Sequence, residues 1–429
     1  MFAGVRAPLF LLTALLWLIA SVLLGLYLWI AKEIGLPSVP HLRVIHAHSA
    51  LVGGVAQMIF GGLLTFLPPL LMVPDPKKSR IFQYLLLNAG AAGMMIGFGT
   101  GNLPVVGFSG MAVGLAFLSL IIDALGMAQK SLSRPGLHLW FYGLAVVALL
   151  VGIGLGEMVA FGSFERERIS LGRLAHLHLN LIGFVTLTIV GTMHAMFPTV
   201  THAKLHSDRL AIAAFVALPL GVAGLIAGFL LAAPWVQIAA GIVLLAGTGT
   251  YGVNMLRTWL GADTRTSLPV LHLFCGTAWL VLTAIVGILL AWNDRTEPPY
   301  YPIGTAHLLG YSHIALVGFI LQTIMGALSH LLPVILTLTR IKSQKKRRPY
   351  LDALTSIVER GKWLQLTAFN LGTAGMMWWA LSAGLFGLRS VATASALWVT
   401  VSLLIVSLGM FAGKVGLMLA TRPEEEFRN

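Results

Sequence analysis

The sequence predicts an all-α integral membrane protein, with twelve transmembrane helices in three pseudo-symmetric four-helix units. The prediction rests on composition, on the number of apolar runs and on a motif that recurs three times. Of the 429 residues, 57% are hydrophobic and 10% are charged, and the mean hydropathy is +0.88. Soluble domains carry roughly 25% charged residues, so this composition excludes a soluble, disordered or fibrous chain. The single cysteine excludes a disulfide framework.

The apolar runs define where the chain is expected to cross the membrane. A transmembrane helix needs about 20 predominantly apolar residues. Twelve such runs lie near 8–31, 44–72, 81–101, 105–128, 136–161, 174–199, 209–232, 235–256, 268–292, 304–335, 362–387 and 392–420. The longest polar stretch, 340–362, is expected to be a loop. No stretch of soluble-domain length separates the spans, so we expect one membrane domain over 1–429.

The distribution of basic residues predicts the orientation of the chain. The two termini and the connections after even-numbered spans carry 21 of the 28 Lys and Arg residues, and the other connections carry 7. Because basic connections stay in the cytoplasm, we expect both termini there, in the inner (cytoplasmic) membrane of a bacterium or archaeon. The net charge of +13 then reflects topology, so we expect contact with membrane lipid and no nucleic-acid partner.

One motif recurs in spans two, six and ten. His48, His178 and His313 each begin the pattern H-x4-G-x7-G-x6-P without a gap, at intervals of 130 and 135 residues. Each interval contains four spans, so the motif predicts internal repeats of approximately 1–130, 131–261 and 262–429, related by an axis along the membrane normal. The two glycines would allow another helix, or a flat ligand, to approach the backbone closely.

The placement of the histidines predicts a planar metal cofactor. Residues two apart on a helix point roughly 200° away from each other. An H-x-H pair therefore offers ligands to opposite sides of one helix, which suits two separate cofactors, or one cofactor and one hydrogen bond. Polar groups within a bilayer are costly and usually functional. We expect haem ligands first among the three motif histidines and then among their upstream partners: His48, His178, His313, His46, His176 and His307.

Four further residues are weaker metal candidates. His272 precedes Cys275 by three residues, so both lie on one helix face, and an imidazole–thiolate pair of this kind could hold copper. His194 and His330 lie four or more turns beyond the motif histidines. A structural role is the alternative for all four. No C-x-x-C-H occurs, so the expected cofactors are one or two b-type haems, with copper as a further candidate.

Two acidic residues lie within the predicted spans. Asp123 is near the end of span four, and Glu157 is near the outer end of span five. Either carboxyl group could relay protons, and a snorkelling or helix-end role is the alternative.

Twelve helices, internal termini and histidines at the outer ends of spans two, six and ten resemble the main subunit of heme-copper oxidases and nitric oxide reductases. The phrases RAPLFLLTALLWL, IHAHSALVGG and LHLFCGTAW also resemble the NnrS family of haem- and copper-containing membrane proteins linked to protection from nitric oxide. In the oxidases, an H-x-H of helix ten ligates two haems and a helix-two histidine completes one of them. The resemblance implies that His46 or His48 has the role of this helix-two haem ligand.

The sequence departs from the oxidase pattern at the copper site. The oxidases use two adjacent histidines of helix seven, but span seven has no histidine here, and Ile182 occupies the place of the tyrosine four residues after His178. We therefore do not expect a conventional oxidase.

The expected function is that of a haem-binding membrane protein with redox chemistry or nitric oxide or dioxygen handling. As an enzyme it would be an oxidoreductase acting on a diatomic gas or a quinol. The partners implied are a quinol or cytochrome electron donor, and a second copy of the chain or accessory subunits. The alternatives are a transporter for haem, metal or a small solute, and a haem-holding sensor or assembly subunit without turnover.

Overall fold

The computed structural model describes residues 7–36, 41–74, 76, 79–132, 134–300 and 305–423. Within these residues all regular structure is helical, and thirteen helices are longer than ten residues. They are α1 (Ala7–Glu33), α2 (Leu42–Leu70), α3 (Ile81–Thr100), α4 (Leu103–Ala128), α5 (Leu137–Ala160), α6 (Ile169–Thr201), α7 (Asp208–Leu230), α8 (Pro234–Leu260), α9 (Leu268–Asn293), α10 (Ala306–Arg340), α11 (Arg347–Glu359), α12 (Lys362–Phe386) and α13 (Val391–Ala420).

Eleven of the described helices are long and apolar enough to span a membrane, namely all except α11 and α12. The predicted span near 362–387 does form a helix, α12, which contains the polar residues Gln365, Asn370 and Thr373 and is not among the eleven. Twelve transmembrane helices in three four-helix units therefore stay a prediction, whereas an all-helical, multi-pass architecture is established.

The connection between α10 and α12 is not the loop that its polarity predicts. It contains α11, an amphipathic helix whose buried residues Tyr350, Leu354, Ile357 and Val358 follow one another at intervals of one to four positions. Four such residues form one apolar face on a helix of 13 residues. Polarity averaged over the whole stretch concealed that face.

The chain divides into two compact units, Met1–Gly191 with Val222–Gln237, and Thr192–Gly221 with Ile238–Asn429. The first unit contains a row of buried rings from α1, α2, α4 and α6. The ring centroids of Phe10 and Phe60 are 5.1 Å apart, those of Phe60 and Phe117 are 5.2 Å apart, and those of Phe117 and Phe184 are 5.4 Å apart. The predicted single domain and its repeat boundaries stay predictions.

Three helices contain a π-helical segment of eight residues. The segments are Ser49–Ala56 in α2, Leu179–Thr186 in α6 and Ile314–Leu321 in α10. Each begins at the residue after a motif histidine. π-Helical turns are rare and occur frequently at functional sites, so the recurrence of these segments directs attention to the residues immediately before them.

The second motif glycine lies against the first helix of its own predicted repeat. A Cβ atom would lie 3.0 Å from Cβ of Phe10 at Gly61, 2.6 Å from Cβ of Phe141 at Gly191, and 2.9 Å from Cγ of Leu273 at Gly326. These distances are shorter than ordinary contacts, so a side chain at any of the three positions would displace its neighbour, and glycine favours the close approach of the two helices.

A buried ion pair joins α3 and α4. The Arg80 guanidinium donates to the Asp123 carboxylate, and Nε2 of Gln83 donates to the same oxygen at 3.0 Å. Both charged side chains are largely buried. Asp123, a candidate proton relay from the sequence, is therefore held as an ion-pair partner.

We expect Asp123→Asn to lower the stability of the protein, because it removes a negative charge that pairs with the buried Arg80 guanidinium. Breaking a buried ion pair costs about 3–5 kcal/mol. The melting temperature in detergent should fall markedly. The control is Asp352→Asn, which removes a carboxylate that is 63% exposed and pairs with Arg348 at 3.5 Å; exposed pairs contribute roughly 0–1 kcal/mol. Equal melting temperatures for the two variants would contradict the assignment.

Candidate metal centre

The three motif histidines share one hydrogen bond. Nδ1 of His48, His178 and His313 lies 3.0, 2.9 and 2.7 Å from the carbonyl oxygen of the residue four positions earlier in the same helix. A carbonyl oxygen only accepts, so Nδ1 must carry the proton and Nε2 keeps its lone pair. Metal-binding histidines commonly donate their other N–H to a backbone carbonyl in this way. All three rings are half-buried.

The upstream histidines of spans two and six also donate to a carbonyl, but on the preceding helix. Nδ1 of His46 lies 2.8 Å from the oxygen of Ser21 in α1, and Nδ1 of His176 lies 2.7 Å from the oxygen of Gly152 in α5. The same argument leaves the lone pair on Nε2 of both rings. Asn180 supports His176 further, because its Nδ2 donates to the His176 carbonyl at 2.8 Å.

A glycine of the preceding helix makes room for each of these upstream rings. A Cβ at Gly25 would lie 2.8 Å from Cε1 of His46, and a Cβ at Gly156 would lie 2.8 Å from Cε1 of His176. In span ten, Tyr311 takes the upstream position, and a Cβ at Gly287 would lie 2.9 Å from its Oη. These three glycines recur at a regular spacing of 131 residues, a sequence signal that indicates them as a set although they lie outside the histidine motif.

The first motif glycine of each π segment is covered by side chains of neighbouring helices. Trp17 lies over Gly53, Ala148 over Gly183, and Trp279 over Gly318, with atoms 2.5–2.8 Å from where a Cβ would stand. The sequence allowed either another helix or a flat cofactor to pack against these glycines. In the structure, side chains of other helices occupy these positions.

Within the first compact unit the structure brings two candidate ligands from different spans together. The ring centroids of His48 and His176 are 6.5 Å apart, and the two ring planes make an angle of 16°. Phe98 of α3 lies beside His48 with its ring centroid 4.8 Å away. Phe229 of α7 lies beside His178 in the same way, at 4.7 Å.

Three further candidate ligands occupy buried or half-buried positions. His307 and His194 are both 8% exposed, His194 lies 5.6 Å from the ring of Tyr251 between centroids, and His330 is half-buried. Among the residues that the structure describes, no group of three or more His, Cys, Asp or Glu side chains could hold a metal ion.

His272 is fully buried between two glutamine amides in the second compact unit. Lys414 Nζ donates to Gln365 Oε1 at 2.7 Å, so the Gln365 amide nitrogen faces His272 Nε2 at 3.2 Å and donates to it. His272 Nδ1 then carries the proton. The Gln322 amide nitrogen lies 3.5 Å from this Nδ1. Exchanging the nitrogen and oxygen of the Gln322 amide would let its unpartnered oxygen accept the Nδ1 proton.

This hydrogen-bond chain bears on the predicted copper pair. Both nitrogens of His272 face an amide, and Cys275 is a half-buried free thiol nearly one turn further along α9. A copper ion would have to displace one of the amides, so the pair stays a prediction and fits a metal less well than the histidines beside the π segments.

We expect Gln365→Leu to destabilise the protein, because it removes the acceptor of Lys414 and the donor to His272. A buried polar group without its partner costs about 1–3 kcal/mol, and a charged group costs more. Thermal unfolding in detergent should show the loss, and Lys414→Met in the same chain should recover part of it. Gln129→Leu, at an exposed position after α4, is the control. No difference between Gln365→Leu and this control would contradict the hydrogen-bond chain.

Comparison with known proteins supports the fold assignment. No sequence-family model matches the chain, and no curated protein matches it in sequence. Among solved structures, the chain is similar to that of a heme-copper terminal oxidase dimer determined by cryo-EM. The TM-score is 0.71 at 12% sequence identity, and the match covers 99% of this chain and 86% of the other. The protein is therefore a multi-pass helical membrane protein with a heme-copper oxidase-like fold.

Proposed function

We propose that the chain is a haem-binding membrane protein with one or two b-type haems, and that it carries out redox chemistry or handles nitric oxide or dioxygen. The observation that carries the proposal is the common state of the three motif histidines. Each donates Nδ1–H to a backbone carbonyl directly before a π-helical segment, and each keeps the Nε2 lone pair. This is the tautomer that a metal ligand requires.

The residues fit haem iron in three respects. Imidazole nitrogen is a common ligand of iron, the rings are half-buried and so present part of their surface to open space, and the surrounding helices supply Phe98 and Phe229 as apolar neighbours. A bound haem supplies an iron that changes oxidation state and, with a vacant axial position, binds a diatomic gas. The motif histidines would hold the haem iron, and the carbonyl oxygens that accept from Nδ1 would keep the imidazole rings in orientation.

Copper is the less well supported cofactor. The described part of α7, where the oxidases carry two adjacent histidines, offers no imidazole. The proposal is therefore a divergent, NnrS-like member of the oxidase-like group without the usual copper site, with His272 and Cys275 as the remaining copper candidates.

The proposed setting follows from the topology. Both termini would lie in the cytoplasm of a bacterium or archaeon, and electrons would come from a quinol or a cytochrome. The similar solved oxidase is a dimer. We therefore propose two possible assemblies, a homodimer and a complex with accessory subunits.

A transporter for haem, metal or a small solute is the second candidate. It is favoured by the interruption of three helices at matching places by π segments, since interrupted helices line the binding sites of many transporters. A haem-holding sensor or assembly subunit would bind the same cofactor without turnover.

Absorption spectra of the oxidised, reduced and carbon monoxide-treated protein test the proposal, together with iron and copper analysis. We expect a b-type spectrum for the wild type. His178→Ala should lose haem, because it removes an axial ligand. His206→Ala should keep full haem content, because His206 lies exposed in the connection between α6 and α7.

Two outcomes would contradict the proposal. Wild-type protein made with ample haem but containing no iron would favour the transporter. Full haem content in the Ala variants of all three motif histidines would exclude them as ligands.

A further inference from the structure

We infer that His48 of α2 and His176 of α6 form a two-imidazole haem-iron site inside the first compact unit. The inference rests on the proposed function, because it takes haem as the cofactor, and it adds which two side chains share one iron. It differs from the oxidase resemblance, in which the helix-two histidine is paired with helix ten.

The separation of the two rings is the first argument. Their centroids are 6.5 Å apart and their planes are within 16° of parallel. An imidazole ring has a radius of about 1.1 Å, and a metal–nitrogen bond is about 2.1 Å, so two imidazoles on one metal have centroids roughly 6–6.5 Å apart. The observed separation matches this requirement.

The hydrogen bonds of the rings are the second argument. Nδ1 of His48 donates to Val44, and Nδ1 of His176 donates to Gly152. Both Nε2 atoms are then acceptors, so the two rings cannot hydrogen-bond to each other. No group in the described part of the chain donates to either Nε2 atom. Both Nε2 lone pairs are therefore available to an electron-pair acceptor, and a metal ion is one.

Both rings are held in position by groups that a site of this kind requires. Phe98 packs beside His48, and Gly156 allows α5 to approach the face of His176 so closely that a Cβ would lie 2.8 Å from Cε1. Carbonyl acceptors and close packing fix ring orientation in metal sites.

The arrangement has a consequence for chemistry. Two imidazoles on one iron fill both axial positions, so this site has no vacant position for a gas. Gas binding would then require a second haem, and His178 is the motif histidine that remains for it within the first compact unit.

The test uses electron paramagnetic resonance and absorption spectra of the full-length protein with its native haem. We expect a low-spin signal in the wild type. His48→Ala and His176→Ala should each lose that signal and gain a carbon monoxide-binding, five-coordinate haem, or lose the haem. Added imidazole should restore the low-spin signal in His176→Gly, which separates loss of a ligand from loss of the fold.

A glycine pair in α5 gives a matched control. Gly156→Ala should displace the His176 ring and remove most of the low-spin signal. Gly154→Ala, two residues away in the same helix, should leave it unchanged, because no atom lies within 4 Å of a Cβ at that position. An equal effect of the two substitutions would overturn the inference.

Different results would contradict haem binding and the pairing of His48 with His176. A wild type without haem, or with copper in place of iron, would overturn both haem binding and the inferred site. A wild type whose low-spin signal survives in both His48→Ala and His176→Ala, but not in His313→Ala, would overturn the pairing and leave haem binding standing.

Discussion

The interior of a bilayer contains no water, so the polar groups of this chain must find partners within the chain itself. This constraint explains why the described regular structure is entirely helical. It also explains why the polar and charged side chains within the helices have partners in the chain. Arg80 is buried with Asp123, Lys414 reaches Gln365 and the Val358 carbonyl, and the histidines of α2 and α6 donate to carbonyl oxygens.

The carbonyl partners matter because they decide the chemistry of the imidazoles. A histidine with its Nδ1 proton held by a carbonyl presents an unprotonated Nε2, and it does so in a fixed direction. Five histidines of the H-x-H pairs and the third motif have this arrangement. His272 contrasts with them, because amides face both of its nitrogens and use its hydrogen-bonding capacity within the protein.

Glycines bring the helices close enough for these contacts to form. At Gly25 and Gly156 the space that a methyl group would fill is taken by an imidazole ring, and at Gly61 and Gly191 it is taken by a phenylalanine. Each glycine weakens its helix slightly as an isolated segment. Within the bundle, the close packing that it permits is the main source of helix association in a membrane.

The sequence by itself determined the class of fold, eleven of the spans and the positions of the motif histidines. Hydropathy and motif spacing can be read along the chain without knowing which helices pack against each other. The sequence did not indicate α11, whose apolar face lies within a stretch that is polar on average, and the twelfth span, at α12, stays a prediction. Tertiary structure alone decided that His48 faces His176, that Gly152 and Ser21 receive the upstream histidines, and that helices cover the π-segment glycines. These facts depend on lateral packing between helices separated by up to about 130 residues in the chain, and no local pattern contains that information.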